Sequence, residues 1–317
     1  MLNQFLISVA IMSQLLGMSL PQVLQEDLYI VPTIVEDQEQ TFEWRVLEHL
    51  RSEFDTPLKL DNEKGPDTDI RSGIIMDVNT QQILWQKNPD MVVPIASITK
   101  LMTALTWLEH QPSAGLDHVH TFAPEEDTPN GKELNLSHGE QLRAFDLLRS
   151  SIVGSDNDTA LALAHSSDYS DAEYVEFMNK KAESLSMTNT TFVDQTGLSQ
   201  HNVSTPLDVA RLAREAFSKR SIQEPAQMTS HVQETVDTGK LTRVFTTNRL
   251  LYDDDLEVTA GKTGYIPEAG YCVVVQVRDP QSGREIIVVV LGVDTDQGRF
   301  DEAKKLSLWT FEHYAWN

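Results

Sequence analysis

Three short strings in this 317-residue chain hold side chains that could do acyl-transfer chemistry. Ser97-Ile98-Thr99-Lys100 sets a hydroxyl and an amine three residues apart, on one face of a helix expected to begin just after Pro94. A protonated serine is a poor nucleophile, and a neutral lysine beside it could take its proton as it attacks a carbonyl. Alone the pattern is weak, because a helix cap followed by a surface lysine spells the same letters. Ser155-Asp156-Asn157 falls between two helical patterns, and Lys262-Thr263-Gly264 ends a strand run. Each has a bland reading: Ser155 could cap the helix opening near Asn157, and Lys262-Thr263-Gly264 could simply close an edge strand. Their order, at separations of 58 and 107 residues, outweighs those readings taken singly.

The elements that must position these strings can be read from periodicity. Gly73 to Asp77 and Ile83 to Trp85 flank Asn79-Thr80-Gln81 and read as a hairpin. Lys100, Leu101, Ala104, Leu105 and Leu108 keep a helical period until Pro112. Helical patterns continue over Gln141 to Ile152, Asn157 to His165, Ala172 to Leu185 and Thr205 to Phe217. Strand patterns return over Val258 to Gly264, Gly270 to Arg278 and Glu285 to Gly292, and a last helix runs from Gln297 to Tyr314. Early strands, a helical middle, late strands and a closing helix predict an α/β (α+β) chain. Its sheet is assembled from both ends, with a helical subdomain inserted between them.

Composition excludes several classes of function. Forty-eight acidic against 25 basic residues give a net charge of −23, which repels phosphate backbones, so no nucleic-acid partner is expected. Cys272 is the single cysteine, and there is no Cys-x-x-Cys or His-Glu-x-x-His string. His118 and His120 would share one strand face, but no third ligand is suggested, so neither metal nor cofactor is expected. Residues 1–25 carry no charged side chain, and Phe5 to Leu20 is apolar but for Ser8, Ser13 and Gln14. That stretch is short for a span of about 20 residues. Residues 1–20 therefore read as a secretory signal with a Gly17-Met18-Ser19 cleavage site; a membrane tether through residues 5–20 is the alternative. Residues 21–69 form an acidic connector with one helix over 42–54, and residues 70–317 form the catalytic domain. Export to the periplasm or extracytoplasmic wall space is expected.

The three strings in this order are the set shared by penicillin-binding proteins and class A β-lactamases. Pro94 to Ala104 resembles the nucleophile segment of the low-molecular-mass D-alanyl-D-alanine carboxypeptidases, the S11 serine peptidases. Thr188 to Phe192, Gly197-Leu198-Ser199 and Gly261 to Cys272 resemble that family too, and the likeness spans about residues 70–295. Asp156 stands where many members have glycine, Gln195 where they usually have proline, and the acidic connector has no counterpart in the pattern.

The resemblance implies a β-lactamase/transpeptidase-like fold, with a five-stranded antiparallel sheet flanked by helices and the site at its junction with the helical subdomain. Ser97 would be acylated, with Lys100 as its base. Ser155 would relay a proton, Asn157 would position the substrate amide, and Lys262, Thr263 and Gly264 would bind the substrate's terminal carboxylate. Backbone N–H groups of Ser97 and Tyr265 would form an oxyanion hole. Lys262 beside Lys100 is a like charge that, with desolvation, would lower the base's pKa. The strand bearing Lys262 would take an extended peptide by β-addition.

The implied partner is a peptidoglycan stem peptide, with β-lactams as covalent inhibitors. The activity is hydrolysis of D-Ala-D-Ala bonds, with endopeptidase cleavage of cross-links as the alternative. The absence of sequence beyond residue 317 likens the chain to the shorter, endopeptidase-type members. A β-lactamase reading lacks a glutamate with asparagine four residues later between Asn157 and Lys262. An inactive wall-binding or β-lactam-sequestering module is opposed by the full set of catalytic side chains.

Overall fold

The computed structural model describes residues 56–129 and 136–316. The expected signal segment and the helix over 42–54 lie outside the described residues. Five strands form the main sheet: β1 (Ser72–Asp77), β2 (Ile83–Lys87), β3 (Glu257–Ile266), β4 (Gly270–Arg278) and β5 (Glu285–Val293). Their order is β3-β4-β5-β1-β2, antiparallel throughout, so the two ends of the chain meet where β5 pairs with β1. Side chains alternate between faces along a strand, and both faces of the central strands are apolar. Ile74, Val274, Ile287, Val289 and Leu291 point into one core, while Ile75, Val273, Val275, Val288 and Val290 point into the other.

Helices cover both faces. The inserted set is α1 (Thr99–His110), α2 (Ala144–Val153), α3 (Asn157–His165), α4 (Asp171–Ser184), α5 (Pro206–Ser218) and α6 (Arg220–Ala226). On the other face, α7 (Asp296–His313) packs Phe300, Ala303 and Leu306 against the sheet. Helix α1 is buried continuously from Thr99 to Trp107, which makes it the axis of the helical layer. Among the described residues no helix is long and apolar enough to cross a membrane.

Several elements differ from the sequence expectation. Gln141–Arg143 is not the first turn of a helix; it is a short strand paired with Val119–Thr121. Tyr314 leaves the last helix to pair with Lys59. A hairpin of Ser230–Glu234 with Leu241–Phe245 went unread for a physical reason. On its first strand the inward side chains are polar: His231 bonds Asp146 at 2.9 Å, and Gln233 accepts from Ser150 at 2.6 Å. Val232, Leu241 and Phe245 face solvent instead, so the alternation is inverted.

Trp107 is fully buried, and its indole N–H donates to Ser166 Oγ at 2.9 Å. Trp107→Ala should lower unfolding free energy by about 3–5 kcal/mol, read from urea titration. A loss below about 1 kcal/mol would mean that the helical layer does not depend on α1 as its axis.

Candidate active site

Ser97 sits in a single 3-10 turn, Ala96–Ile98, just ahead of α1 rather than inside it. Main-chain pairing fixes that turn: Val93 and Pro94 pair with Ser204 and Val203, and Ile95 N–H donates to Asn202 O at 3.1 Å. Two glycines then crowd the Ala96–Ser97 peptide. A Cβ on Gly197 would lie 2.1 Å from Ala96 O, and one on Gly264 would lie 2.7 Å from Ile95 O and 3.2 Å from Ser97 N. Any side chain at Gly197 would push the turn away. The serine itself is half-buried.

Lys100, one turn on and buried, places its amine among three oxygens. Nζ is 2.9 Å from Ser97 Oγ, 2.7 Å from Asn157 Oδ1 and 2.7 Å from Thr196 O. A neutral amine has two N–H groups and one lone pair. As an ammonium, Lys100 can donate to all three oxygens; once neutral, it would give its two N–H groups to the oxygens that only accept and keep its lone pair for the Ser97 hydroxyl. Asn157 opens α3, whose N-cap is Asp156: its Oδ1 accepts from Thr159 N–H at 2.7 Å. The aspartate that departs from the family's glycine therefore caps the helix, and Ser155 does not. The Ser155 hydroxyl accepts instead from Lys262 Nζ at 2.6 Å.

Lys262, Thr263 and Gly264 lie inside the edge strand β3, which continues to Ile266, so they do not close it. The Lys262 amine also donates to Thr263 O at 2.9 Å, and Thr263 Oγ1 is 2.5 Å from Thr247 Oγ1. Burial first, then the charges of Lys100 and Arg299, push the Lys262 pKa well below the usual lysine value. Tyr265 follows on the same strand with its ring stacked on Tyr271, 4.2 Å between centroids. The structure thus brings Ser97, Lys100, Ser155, Asn157 and Lys262 into two linked hydrogen-bonded groups, with Thr263, Gly264 and Tyr265 along the bordering strand.

Sequence reasoning missed Thr196, Thr247 and Arg299. Arg299 donates from α7 to the carbonyls of Gly264 and Cys272 at 3.1 and 3.3 Å, pinning β3 from behind, and it pairs with Asp296. Thr196 acts through a main-chain oxygen, which no side-chain pattern announces; its neighbour Gly197 was visible only as part of a string. Among the described residues no cluster could hold a metal ion.

A lysine with a lowered folded pKa makes stability depend on pH. Between that value and 10.5 the unfolded chain holds a proton that the folded chain lacks, so stability rises with pH across the window. Lys262→Met removes this dependence. The stability of Lys262→Met minus that of the native protein should fall steadily as pH is raised from neutral toward 10.5, in urea unfolding at a series of pH values. A difference that stays flat would mean that the buried amine keeps its proton.

Comparison with known proteins agrees with the geometry. A family model described as D-alanyl-D-alanine carboxypeptidase, peptidase S11, matches residues 60–295. The chain is 35% identical over 242 residues to a D-alanyl-D-alanine endopeptidase of Pseudomonas aeruginosa, covering 75% of this chain and 76% of that one. It is 30% identical over 251 residues to a D-alanyl-D-alanine carboxypeptidase of Bacillus subtilis, covering 77% of this chain and 62% of that one. Its fold is similar to penicillin-binding protein D2 of Listeria monocytogenes in the cefotaxime-bound form, with TM-score 0.68, 27% identity, and coverage of 78% and 100%. The chain belongs to the D-alanyl-D-alanine carboxypeptidase family, the S11 serine peptidases.

Proposed function

We propose that this protein is an exported serine DD-peptidase that hydrolyses D-Ala-D-Ala bonds of peptidoglycan stem peptides through an acyl-enzyme on Ser97. The observation that carries the reading is the Lys100 amine, hydrogen-bonded at once to Ser97 Oγ, Asn157 Oδ1 and Thr196 O. The stem peptide lies along the edge strand β3, main chain to main chain. Ser97 Oγ attacks the penultimate D-Ala carbonyl, and its proton passes to Lys100. The N–H groups of Ser97 and Tyr265 receive the oxyanion, a contribution typically worth about 10²–10³-fold per donor.

Ser155, held by Lys262, relays a proton to the leaving amine, and Asn157 positions the substrate amide. Lys262 and Thr263 bind the terminal carboxylate, and Gly264 lets β3 run close to the Ser97 amide. Water then hydrolyses the ester. Residues 70–317 carry the chemistry, residues 21–69 connect, and the uncharged residues 1–20 direct export as a signal or a tether, to the periplasm or extracytoplasmic wall space. A β-lactam presents an acylating carbonyl beside a carboxylate and would trap the same serine.

Carboxypeptidase action is the first reading. Endopeptidase cleavage of cross-links is the second, favoured by the name of the Pseudomonas relative at 35% identity. Both attack a D-Ala carbonyl; they differ in the size of the leaving amine. Digests of a D-Ala-D-Ala pentapeptide and of cross-linked stem dimers, separated by chromatography, decide between them. Free D-alanine without dimer cleavage fits the first reading, and dimer cleavage without D-alanine fits the second. Ser97→Ala should abolish both products and the penicillin adduct seen by intact mass. An adduct that persists would move the nucleophile elsewhere.

Lys100→Arg tests whether basicity or charge is needed. Arginine stays protonated to a pKa above about 12, so it cannot accept the serine proton. Acylation by penicillin should fall nearly as far as in Lys100→Ala. A near-native rate in the arginine variant would show that the position supplies charge alone.

A further inference from the structure

Behind the Ser97 site runs a chain of polar side chains that the reaction above does not use. Asp127 closes a one-turn helix, and its buried carboxylate meets His120 Nε2 at 2.9 Å, His165 Nδ1 at 2.8 Å and the Ala123 N–H at 2.8 Å. His165 ends α3, and its other nitrogen, Nε2, is 3.1 Å from Asp171 Oδ1 on the first turn of α4. That same oxygen accepts from Gln195 Nε2 at 2.7 Å. Both ring nitrogens of His165 therefore face carboxylate oxygens. A carboxylate offers only lone pairs, so both nitrogens must carry protons and the ring is an imidazolium.

The charges agree with that assignment. Burial lowers the His165 pKa, but its hydrogen bonds to Asp127 and Asp171 outweigh this and raise it. Burial likewise pushes Asp127 up, and the two imidazoles and the Ala123 amide hold it well below the usual carboxylate range. Asp171 is two-thirds exposed as a side chain, yet it is gripped from two sides, by a cation and by an amide.

Gln195 transmits this hold to α1. Its own carbonyl accepts from Thr103 Oγ1 at 2.5 Å, and the next carbonyl, of Thr196, accepts from Lys100 Nζ at 2.7 Å. The side-chain amide is fixed to Asp171 and the main-chain carbonyl to Thr103, so Gln195 is anchored at both ends, one residue ahead of the Thr196 carbonyl. Where the family usually has proline, φ is fixed by a ring. Here a buried, hydrogen-bonded side chain supplies the restraint.

We propose that Gln195 is a positioning residue for Lys100: bonded to Asp171, which His165 and Asp127 hold, it fixes the Thr196 carbonyl that turns the Lys100 lone pair toward Ser97. This rests on the reading of Ser97 as the acylated residue and Lys100 as its base.

The test is the kinetics of penicillin acylation over a range of concentrations, which separates the non-covalent Kd from the acylation rate constant. Gln195→Glu sets a carboxylate against Asp171 and should lower the rate constant about ten-fold, with Kd unchanged. The double variant Gln195→Glu with Asp171→Asn restores one donor between the two side chains, and should return the rate constant to within about two-fold of native. The rescue shows that the two side chains act through their mutual hydrogen bond, and the unchanged Kd separates an effect on the Lys100 amine from a general loosening of the cleft. If Gln195→Glu fails to fold, Asp171→Ala on the exposed side of the contact should show the same fall in rate constant at constant Kd.

A native rate constant in Gln195→Glu, or a double variant as slow as the single one, overturns the proposal. The native protein is run in the same series. If its Ser97 is not labelled, the peptidase reading fails; if it is labelled and every variant matches its rate constant, only the role of Gln195 fails.

Discussion

A buried amine must have its water replaced by oxygens at fixed places, and the architecture around Lys100 follows from that requirement. Three oxygens surround Nζ, from the turn Ala96–Ile98, from the first residue of α3 and from the loop at Thr196. The loop is the least regular of the three and the most heavily tied. One Asp194 oxygen accepts from Thr196 N–H, Thr196 Oγ1 and Gly197 N–H at 2.6–2.9 Å, and the other takes Ser199 N–H at 2.8 Å. Asn202 closes it, donating to Asp194 O and to Thr99 Oγ1 and accepting from Val193 N–H. A carbonyl so fixed acts as a rigid part of the site.

Electrostatics sets the cost of this arrangement. Lys100 and Lys262 are both nearly inaccessible, and Arg299 stands behind them. Each buried cation is expensive unless hydrogen bonds replace its water. The Lys262 amine has Ser155 Oγ and Thr263 O, while Arg299 has Asp296 and two main-chain carbonyls. Burial, and then the charges of Lys100 and Arg299, favour proton loss from Lys262. The burial that weakens the fold near neutral pH is thus the one that leaves the Lys262 amine free to take a proton. Stability is given up where reactivity is needed.

Much of this could be read from the sequence, and each exception has its own physical cause. Helix Asn157–His165 and strands β4 and β5 follow their apolar period closely, because each packs against a core. The hairpin at 230–245 packs inward through His231 and Gln233, so its hydrophobic pattern points the wrong way. Ser97, Lys100, Asn157 and Lys262 are side-chain contributors, and their spacing could be seen. Thr196 contributes an oxygen common to every residue, and Arg299 reaches Gly264 only because α7 folds back across the sheet. Ser155 was legible as a letter but not as a partner; only the structure assigns the cap to Asp156 and leaves the serine to Lys262.

Backbone conformation supplies the last constraint. Ala96 and Ser155 are non-glycine residues at φ of 48° and 60°, a left-handed conformation that costs about 1–3 kcal/mol each. One precedes Ser97 and the other is itself in the site. Such conformations persist only where the surroundings over-determine them, and around Ala96 these surroundings are visible. Gly197 and Gly264 close on the Ala96–Ser97 peptide from two chain segments, each without the Cβ that would collide with it. The turn is therefore held by contact with β3 and the Asp194 loop more than by its own preference. These same two segments carry the Lys262-Thr263-Gly264 string and the Thr196 carbonyl. A displacement of either would therefore reach Ser97 directly, through its contact with the Ala96–Ser97 peptide.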